Sequence, residues 1–343
     1  MGLTGAVLYT AVEMVIAVGS ILGNALVIAA VCSIKGLREP TFCFLTSLAT
    51  ADLLVGCLAI PLAVVVDGRV AMSAQACLFS SCLLILPTLA SILSLLAIAV
   101  DRYLRVYVPL RYRRSVTEKQ SWLVVAVCWV VAAVMSFTPV FGWNNQPTVS
   151  PAALSPNSSS SAIVCRFTAV ISMSYLVYFT FFLCNLLPLV TMALLYCYIF
   201  CSIRRSLQEM PGRSGLSESR SCLKKERRLA TSLSLVLALF ALSWLPLHIM
   251  NCIVYFSASV VPLTAFYVGI LLSHANSAIN PIVYAFKIPK ITHAYLKIWS
   301  RVTGRSGRRG SSQPQSSQSL DAASSNNQAA TDLGIEKKMA ALV

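Results

Sequence analysis

Apolar residues in this chain come in long runs. Seven stretches, at roughly 7–33, 41–66, 75–100, 121–141, 173–201, 229–256 and 263–286, each hold the ~20 mostly apolar residues that a helix needs to cross a bilayer. The segments between them are mostly short, which predicts one bundle rather than separate domains. Neither the alternating ten-residue strands of a membrane barrel nor a repeated block is present. The expected fold is therefore all-α: a membrane protein with a seven-transmembrane-helix bundle. After the seventh run, "KIPKITHAYLKIW" (287–299) alternates basic and apolar residues at near-helical spacing. It reads as a short amphipathic helix on the inner membrane lipid surface, with Pro289 tolerable in its first turn. The helical body is thus expected over 1–299. Residues 300–343, rich in Ser, Gln and Asn, are expected to be a disordered tail.

Composition agrees with that pattern. Of 343 residues, 57% are hydrophobic and 11% charged, against about 25% charged in a soluble domain. The first run is too long for a signal-peptide core and has no small-residue cleavage site, so it is expected to be retained. The net charge of +15 changes meaning once its distribution is considered. Of 27 Lys and Arg residues, only Arg69 and Arg166 fall on one side of the spans, and all others fall on the opposite side. The positive-inside rule makes the basic side cytoplasmic, placing the N-terminus outside and the tail inside. Attraction to anionic lipid accounts for such a face without nucleic acid.

Twelve cysteines are present, most of them within spans as small apolar fillers. Cys77 opens the third span on the outer side, and Cys165 lies in the outer loop 142–172. An oxidising exterior favours a disulfide between them over two free thiols. In the same loop, Asn157-Ser158-Ser159 is a glycosylation acceptor sequence.

Ionisable residues inside a membrane default to functional candidates. Here they are few: Glu13, Asp52, Asp101 at the inner end of the third span, His248 and His274, with no Lys in any span. A lone carboxylate at Asp52 must be protonated, paired or bound to a cation. Asn24, Ser91, Asn276, Ser277 and Asn280 are oxygen-bearing candidates at similar depth, and a sodium ion suits one negative charge. Asp101-Arg102-Tyr103 sits at the cytoplasmic end of the third span, and Glu226 lies on the same side at the start of the sixth. An Arg102–Glu226 bridge that forms in one state and breaks in another would be a bistable element. In "FALSWLPLHIMNC" (240–252), Pro246 kinks the helix; Trp244, Leu247 and Asn251 share one face beside His248. In "LLSHANSAINPIVY" (271–284), Ser273, Asn276, Ser277, Asn280 and Tyr284 form a stripe ~100° wide with His274 at its margin and Pro281 as a hinge.

Together Asn24, Asp52, Asp101-Arg102-Tyr103, Trp129, Pro188, "SWLP" (243–246) and "NPIVY" (280–284) resemble rhodopsin-like G-protein-coupled receptors. "SLLAIAVDRYLRV" (94–106), "TPVFGWN" (138–144), "SWLPLHIMNCIVYF" (243–256) and "GILLSHANSAINPIVYA" (269–285) narrow the resemblance to adenosine receptors. The resemblance spans about 7–299. It implies adenosine bound in the outer half of the bundle. Phe167 would stack on the adenine and Asn251 would hydrogen-bond its edge. Leu247 and Ile270 would pack on the purine, and His248 would be among the ligand-binding residues. Thr88, Ser273 and His274 would meet the ribose, Glu13 would orient His274, and Trp244 would sit below as the activation element. Thr168 stands where three subtypes carry Glu after the stacking Phe, which is similar to the type 3 members. His248 and Leu89 depart from the residues expected in type 3. The resemblance also implies a heterotrimeric G protein of the inhibitory class as partner, and arrestin and receptor kinases on the tail. No enzyme activity or cofactor is expected beyond the sodium ion. Other readings are the same receptor fold with a different purine or small neutral ligand, and a membrane transporter, against which the lack of inverted repeats counts.

Overall fold

The computed structural model describes residues 3–33, 40–109, 111–112, 116–145, 162–209, 217–257 and 260–302. Asn157, Lys35, Arg38 and the tail beyond 302 lie outside them.

Helix α1 (Leu3–Ser33) is followed by α2 (Pro40–Leu54), a π-turn over Val55–Ala59, and α3 (Ile60–Val65), which together make the second span. Strand β1 (Asp67–Ser73) leads into α4 (Ala74–Tyr107), where the Ser73 hydroxyl caps the helix by accepting from the Ala76 amide at 3.2 Å. Helix α5 (Glu118–Ser136) starts with a reciprocal cap. Thr117 Oγ1 accepts from the Gln120 amide at 3.3 Å, and Gln120 Oε1 accepts from the Thr117 amide at 3.0 Å. Strand β2 (Ala162–Arg166) and α6 (Phe167–Val170) follow, then a π-helical stretch, Tyr175–Leu186, continued by α7 (Leu187–Gln208). Helices α8 (Ser217–Ser257), α9 (Leu263–Lys287) and α10 (Pro289–Val302) complete the order.

Six of these helical stretches are long and apolar enough to cross a membrane by composition alone. The seventh, α9, has 25 residues, ample length at 1.5 Å per residue. Its hydropathy is diluted because Ser273, His274, Asn276, Ser277 and Asn280 are polar, but all five are buried. The predicted stripe therefore faces protein. Leu272 and Ile282, on the opposite side, are exposed, as lipid contact requires.

Helix boundaries differ from the apolar runs in one systematic way. α4 extends to Tyr107, α7 to Gln208, and α8 starts at Ser217. Charged residues outside hydrocarbon still propagate a helix, as the Arg205–Glu209 pair at i, i+4 (2.8 Å) illustrates. The fourth span does the reverse. Its α-helix stops at Ser136, since Pro139 cannot continue it, and a 3₁₀ turn over Thr138–Phe141 closes at Gly142 with φ 117°.

The all-α expectation gains one addition. β1 and β2 pair antiparallel, with Asp67 opposite Arg166, Ala71 opposite Val164 and Ser73 opposite Ala162, across an irregularity between Asp67 and Ala71. Cys77 and Cys165 are disulfide-bonded as expected. That bond pins the sheet to the start of α4. Two ends can then be named: the disulfide end, and the basic end carrying Arg102.

α4 is the central post, packed against α2, α5 and α7, while α1 lies against α2 and α9, and α8 between α7 and α9. Close approach depends on small residues. A methyl group at Gly56 would lie 2.8 Å from the Ala17 carbonyl oxygen and 2.9 Å from Ile21 Cγ1. Gly56→Ala is expected to lower the melting temperature of the detergent-solubilised chain, with overpacking costing about 1–3 kcal/mol. An unchanged melting temperature would mean that α1 yields freely at this crossing.

Candidate functional site

At the disulfide end, the polar residues of the spans meet as partners. His274 Nδ1 lies 3.0 and 2.8 Å from the two Glu13 oxygens, both residues buried. A carboxylate only accepts, so Nδ1 carries the proton and Nε2 is left for another partner. Ser273, the neighbour of His274, returns its hydroxyl to the Ile270 carbonyl at 2.7 Å.

The kinked α8 supplies an aromatic column. Phe240 stacks on Trp244 (6.0 Å between centroids), Trp244 on His248 (5.9 Å), and His248 on Phe181 of the fifth span (4.9 Å). Both ring nitrogens of His248 are buried without a hydrogen-bond partner among the described residues. Trp244, Leu247 and Asn251 are half-buried, while Leu242, Ile249 and Ile253 are exposed, so the predicted face does turn inward. Gly269 lets α9 approach α8: a methyl group there would come within 3.5 Å of the Leu247 Cα and Cβ. Leu247 is thereby brought beside the segment that carries Ile270.

Phe167 is held by its backbone. It opens α6 directly after β2, and its amide donates to the Val66 carbonyl at 3.0 Å. Its ring packs on the core that contains Val66, Cys77 and Cys165. Thr88 is buried on α4 and Thr168 is exposed. The structure thus joins Glu13 to His274 and Trp244 to His248, and sets Leu247 near Ile270. Phe167, Thr88 and Asn251 are not linked to these by any hydrogen bond among the described residues. Tyr9, Asp67 and Tyr267, at the same end, were not singled out from the sequence. Tyr9 is four residues before Glu13 and Tyr267 seven before His274, so helical periodicity alone could have found them.

Deeper in the bundle, Asp52 is fully buried and accepts from Asn280 Nδ2 at 2.8 Å, Ser277 Oγ at 2.9 Å and Ser91 Oγ at 3.4 Å. Asn276 makes no hydrogen bond to it among the described residues. Asn24 donates instead to the Ser20 and Ser277 carbonyls, each at 2.9 Å. The side-chain oxygens of Asn24, Asn276 and Asn280 are buried with no hydrogen-bond partner among the described residues. A carboxylate accompanied by orphaned amide oxygens is a donor set of the kind hard cations take.

At the basic end, Arg102 is 1% exposed and reaches two acids: Asp101 at 2.6 Å and Glu226 at 3.0 Å. Asp101 is the hub. It also accepts from Thr41 Oγ1 at 2.8 Å and from the Tyr112 hydroxyl, and Arg105 lies 3.5 Å away. Thr41 accepts in turn from Arg102. Burial, then the adjacent Asp101 carboxylate, push the Tyr112 hydroxyl above its ordinary range, so it remains a donor. Thr41 and Tyr112 are additions to the predicted switch. Tyr103 instead forms a ring cluster with Tyr107 (5.4 Å) and Tyr198 (5.2 Å). Pro281 and Tyr284 are buried, with Gly23 facing the Pro281 ring.

A seven-helix bundle with a buried Arg–carboxylate network at one end and partnered polar side chains at the other is the architecture of a class of membrane receptor. Residues 23–284 match the family model of the 7 transmembrane receptor (rhodopsin family). The chain is 48% identical over 292 residues to Adenosine receptor A3 of Ovis aries and equally to that of Bos taurus, covering 85% of this chain and 89% of each relative. Adenosine receptor A3 of Canis lupus familiaris is 46% identical over 293 residues, 85% of this chain and 91% of the relative. The chain belongs to the rhodopsin family of seven-transmembrane receptors and, within it, to the adenosine receptors. It is accordingly a multi-pass plasma-membrane signalling receptor and not an enzyme.

The Arg102–Glu226 bridge joins α4 to α8 and so favours the conformation in which it forms. Glu226→Gln should raise ligand-independent signalling in a reporter assay at matched surface expression. Losing about 1 kcal/mol of preference enlarges the minor state about fivefold. Unchanged basal signalling would show that the bridge does not bias the switch.

Proposed function

We propose that this receptor binds adenosine at the disulfide end and signals through a heterotrimeric G protein of the inhibitory class, lowering cyclic AMP. The observation that carries the reading is the match of an uncharged, hydroxyl-rich, planar nucleoside to the lining of that end. The lining offers an aromatic face at Phe167, an amide at Asn251 that both donates and accepts, apolar walls at Leu247 and Ile270, and imidazole and hydroxyl groups at His274, Ser273 and Thr88. The Glu13–His274 pair, 2.8 Å apart, leaves Nε2 to meet a ribose hydroxyl. The residue on α4 where a cationic amine would need an acid is Leu84. Support also comes from relatives that carry the name Adenosine receptor A3 at 46–48% identity.

In this reading the disulfide end faces outward, the N-terminus with it, and the basic end faces the cytoplasm and anionic lipid. Asp101, Arg102, Tyr103, Glu226, Pro281 and Tyr284 form the coupling machinery. Trp244 transmits ligand occupancy through its aromatic column, and Asn157 carries glycan. The tail takes receptor kinases and then arrestin. Sodium binds at Asp52, with Ser91, Asn276 and Asn280 as oxygen donors, and favours the inactive state.

Cells expressing the chain should lower cyclic AMP on addition of adenosine, and a block of inhibitory G proteins should abolish the effect. Asn251→Ala should weaken adenosine at least tenfold, since a buried bidentate contact contributes about 1.5–3 kcal/mol. Unchanged affinity would sink the adenosine pose and favour a different purine or small neutral ligand. For the ion, Asp52→Asn should remove the effect of added sodium chloride, relative to potassium chloride, on agonist affinity. A sodium response that survives this substitution would rule out Asp52 as the ligand.

A further inference from the structure

Two rungs join α1 to α9 at the disulfide end. The deeper rung is Glu13 with His274. The outer rung is Tyr9 against Tyr267, with ring centroids 4.5 Å apart and planes tilted by 54°. Tyr9 and Glu13 are one turn apart on α1, and Tyr267 and His274 two turns apart on α9, so each helix presents both side chains on one face. The Tyr267 hydroxyl then reaches beyond the two helices to Asp67, at 3.3 and 3.5 Å from its carboxylate oxygens.

Asp67 belongs to neither helix. It opens β1 opposite Arg166, the residue before Phe167. It also follows Val66, whose carbonyl accepts the Phe167 amide. A single side chain therefore ties the strand segment that anchors Phe167 to the helix that carries Ile270 and His274. These are the two walls between which the nucleoside is proposed to lie.

The contact has the character of a latch. A phenol donating to a carboxylate is a charge-assisted bond and holds better than a neutral one. At 3.3 Å between half-buried partners it is nevertheless longer than the ~2.5–3.0 Å usual for an O–H···O bond. It therefore opens more easily than the buried Glu13–His274 pair at 2.8 Å. A closed but breakable link at the rim, above a rigid link at the floor, controls passage without deforming the floor.

We propose that Asp67 is a positioning residue that latches the mouth of the ligand site. Through Tyr267 it fixes the spacing between Phe167 and the Ile270–His274 face, and a bound nucleoside leaves when that link opens. Asp67 does not touch the ligand. The proposal rests on the adenosine reading above.

The test is the dissociation rate of a tritium-labelled, deaminase-resistant adenosine analogue from membranes that hold the full-length receptor. Asp67→Ala and Tyr267→Phe should each speed dissociation about threefold to tenfold, with association altered less than twofold. The double variant should be no faster than the faster single one, because both remove the same bond. Asp67→Asn, which keeps an acceptor oxygen for the phenol, should recover most of the slow dissociation. Unchanged dissociation in both single variants would overturn the latch, as would additive acceleration in the double variant. So would a loss confined to the number of binding sites, which is the signature of a folding role. Failure of the underlying reading looks different: the unsubstituted chain would show no specific binding of the analogue, and the latch would fall with it.

Discussion

Hydrocarbon offers no hydrogen-bond partner, and that constraint governs where every polar group of this chain lies. Backbone groups meet it by running as helices through nearly the whole span. Side chains meet it by turning inward and finding one another. Asp52, the most demanding of them, collects three neutral donors from α4 and α9. Glu13 takes His274. Asp101 takes Arg102, Thr41 and Tyr112. Apart from Asp101–Arg102 within α4 and Asp101–Tyr112, these partnerships cross between helices, so groups that would be costly to bury alone also set the helices against one another. Apolar packing cannot do this, because lipid competes for an apolar face as well as a neighbouring helix does.

The same constraint divides the molecule by depth. At the basic end the acids have permanent cations, and Arg102 is shared between Asp101 and Glu226. In the middle, one carboxylate is held by neutral donors, and several amide oxygens have no donor among the described residues. At the disulfide end, the Glu13–His274 pair is short at 2.8 Å and the outermost contact, Tyr267 to Asp67, is longer at 3.3 Å. The gradient runs from ion pairs with Arg, through a carboxylate held by neutral donors, to a carboxylate–imidazole pair and a phenol–carboxylate contact.

The sequence carried most of this through periodicity. The stripe on α9 was legible because Ser273, Asn276, Ser277 and Asn280 recur at three and four residues, and the structure buries all of them. The Arg102–Glu226 pairing was legible from charge and side. What stayed hidden depends on long-range pairing. Nothing in "DGRVAMS" or "AIVCR" announces a sheet, because the two segments meet only when the Cys77–Cys165 bond draws 88 residues into a loop. Thr41 and Tyr112 were missed since one is an ordinary span residue and the other lies in a connection. Their role follows from their distance to Asp101 and from no local pattern. Asn276 stood in the right stripe, yet its hydrogen bond to Asp52 is replaced by that of Ser277, one residue along and about 100° around the helix.

The π-turns in the second and fifth spans have a further effect, on angular phase. An i→i+5 bond holds one more residue per turn than an i→i+4 bond, which rotates everything beyond it by about 100°. Val55–Ala59 lies between Asp52 and Asp67, and Tyr175–Leu186 between Ser174 and Pro188. A helical wheel drawn through either segment therefore assigns its disulfide-end residues to the wrong face. Each turn is also a place where one residue can be removed while the backbone ladder heals as ordinary α-helix. The molecule thus holds two built-in dials. Shortening either by one residue would leave the basic end where it is and turn the disulfide end of that span toward a different neighbour.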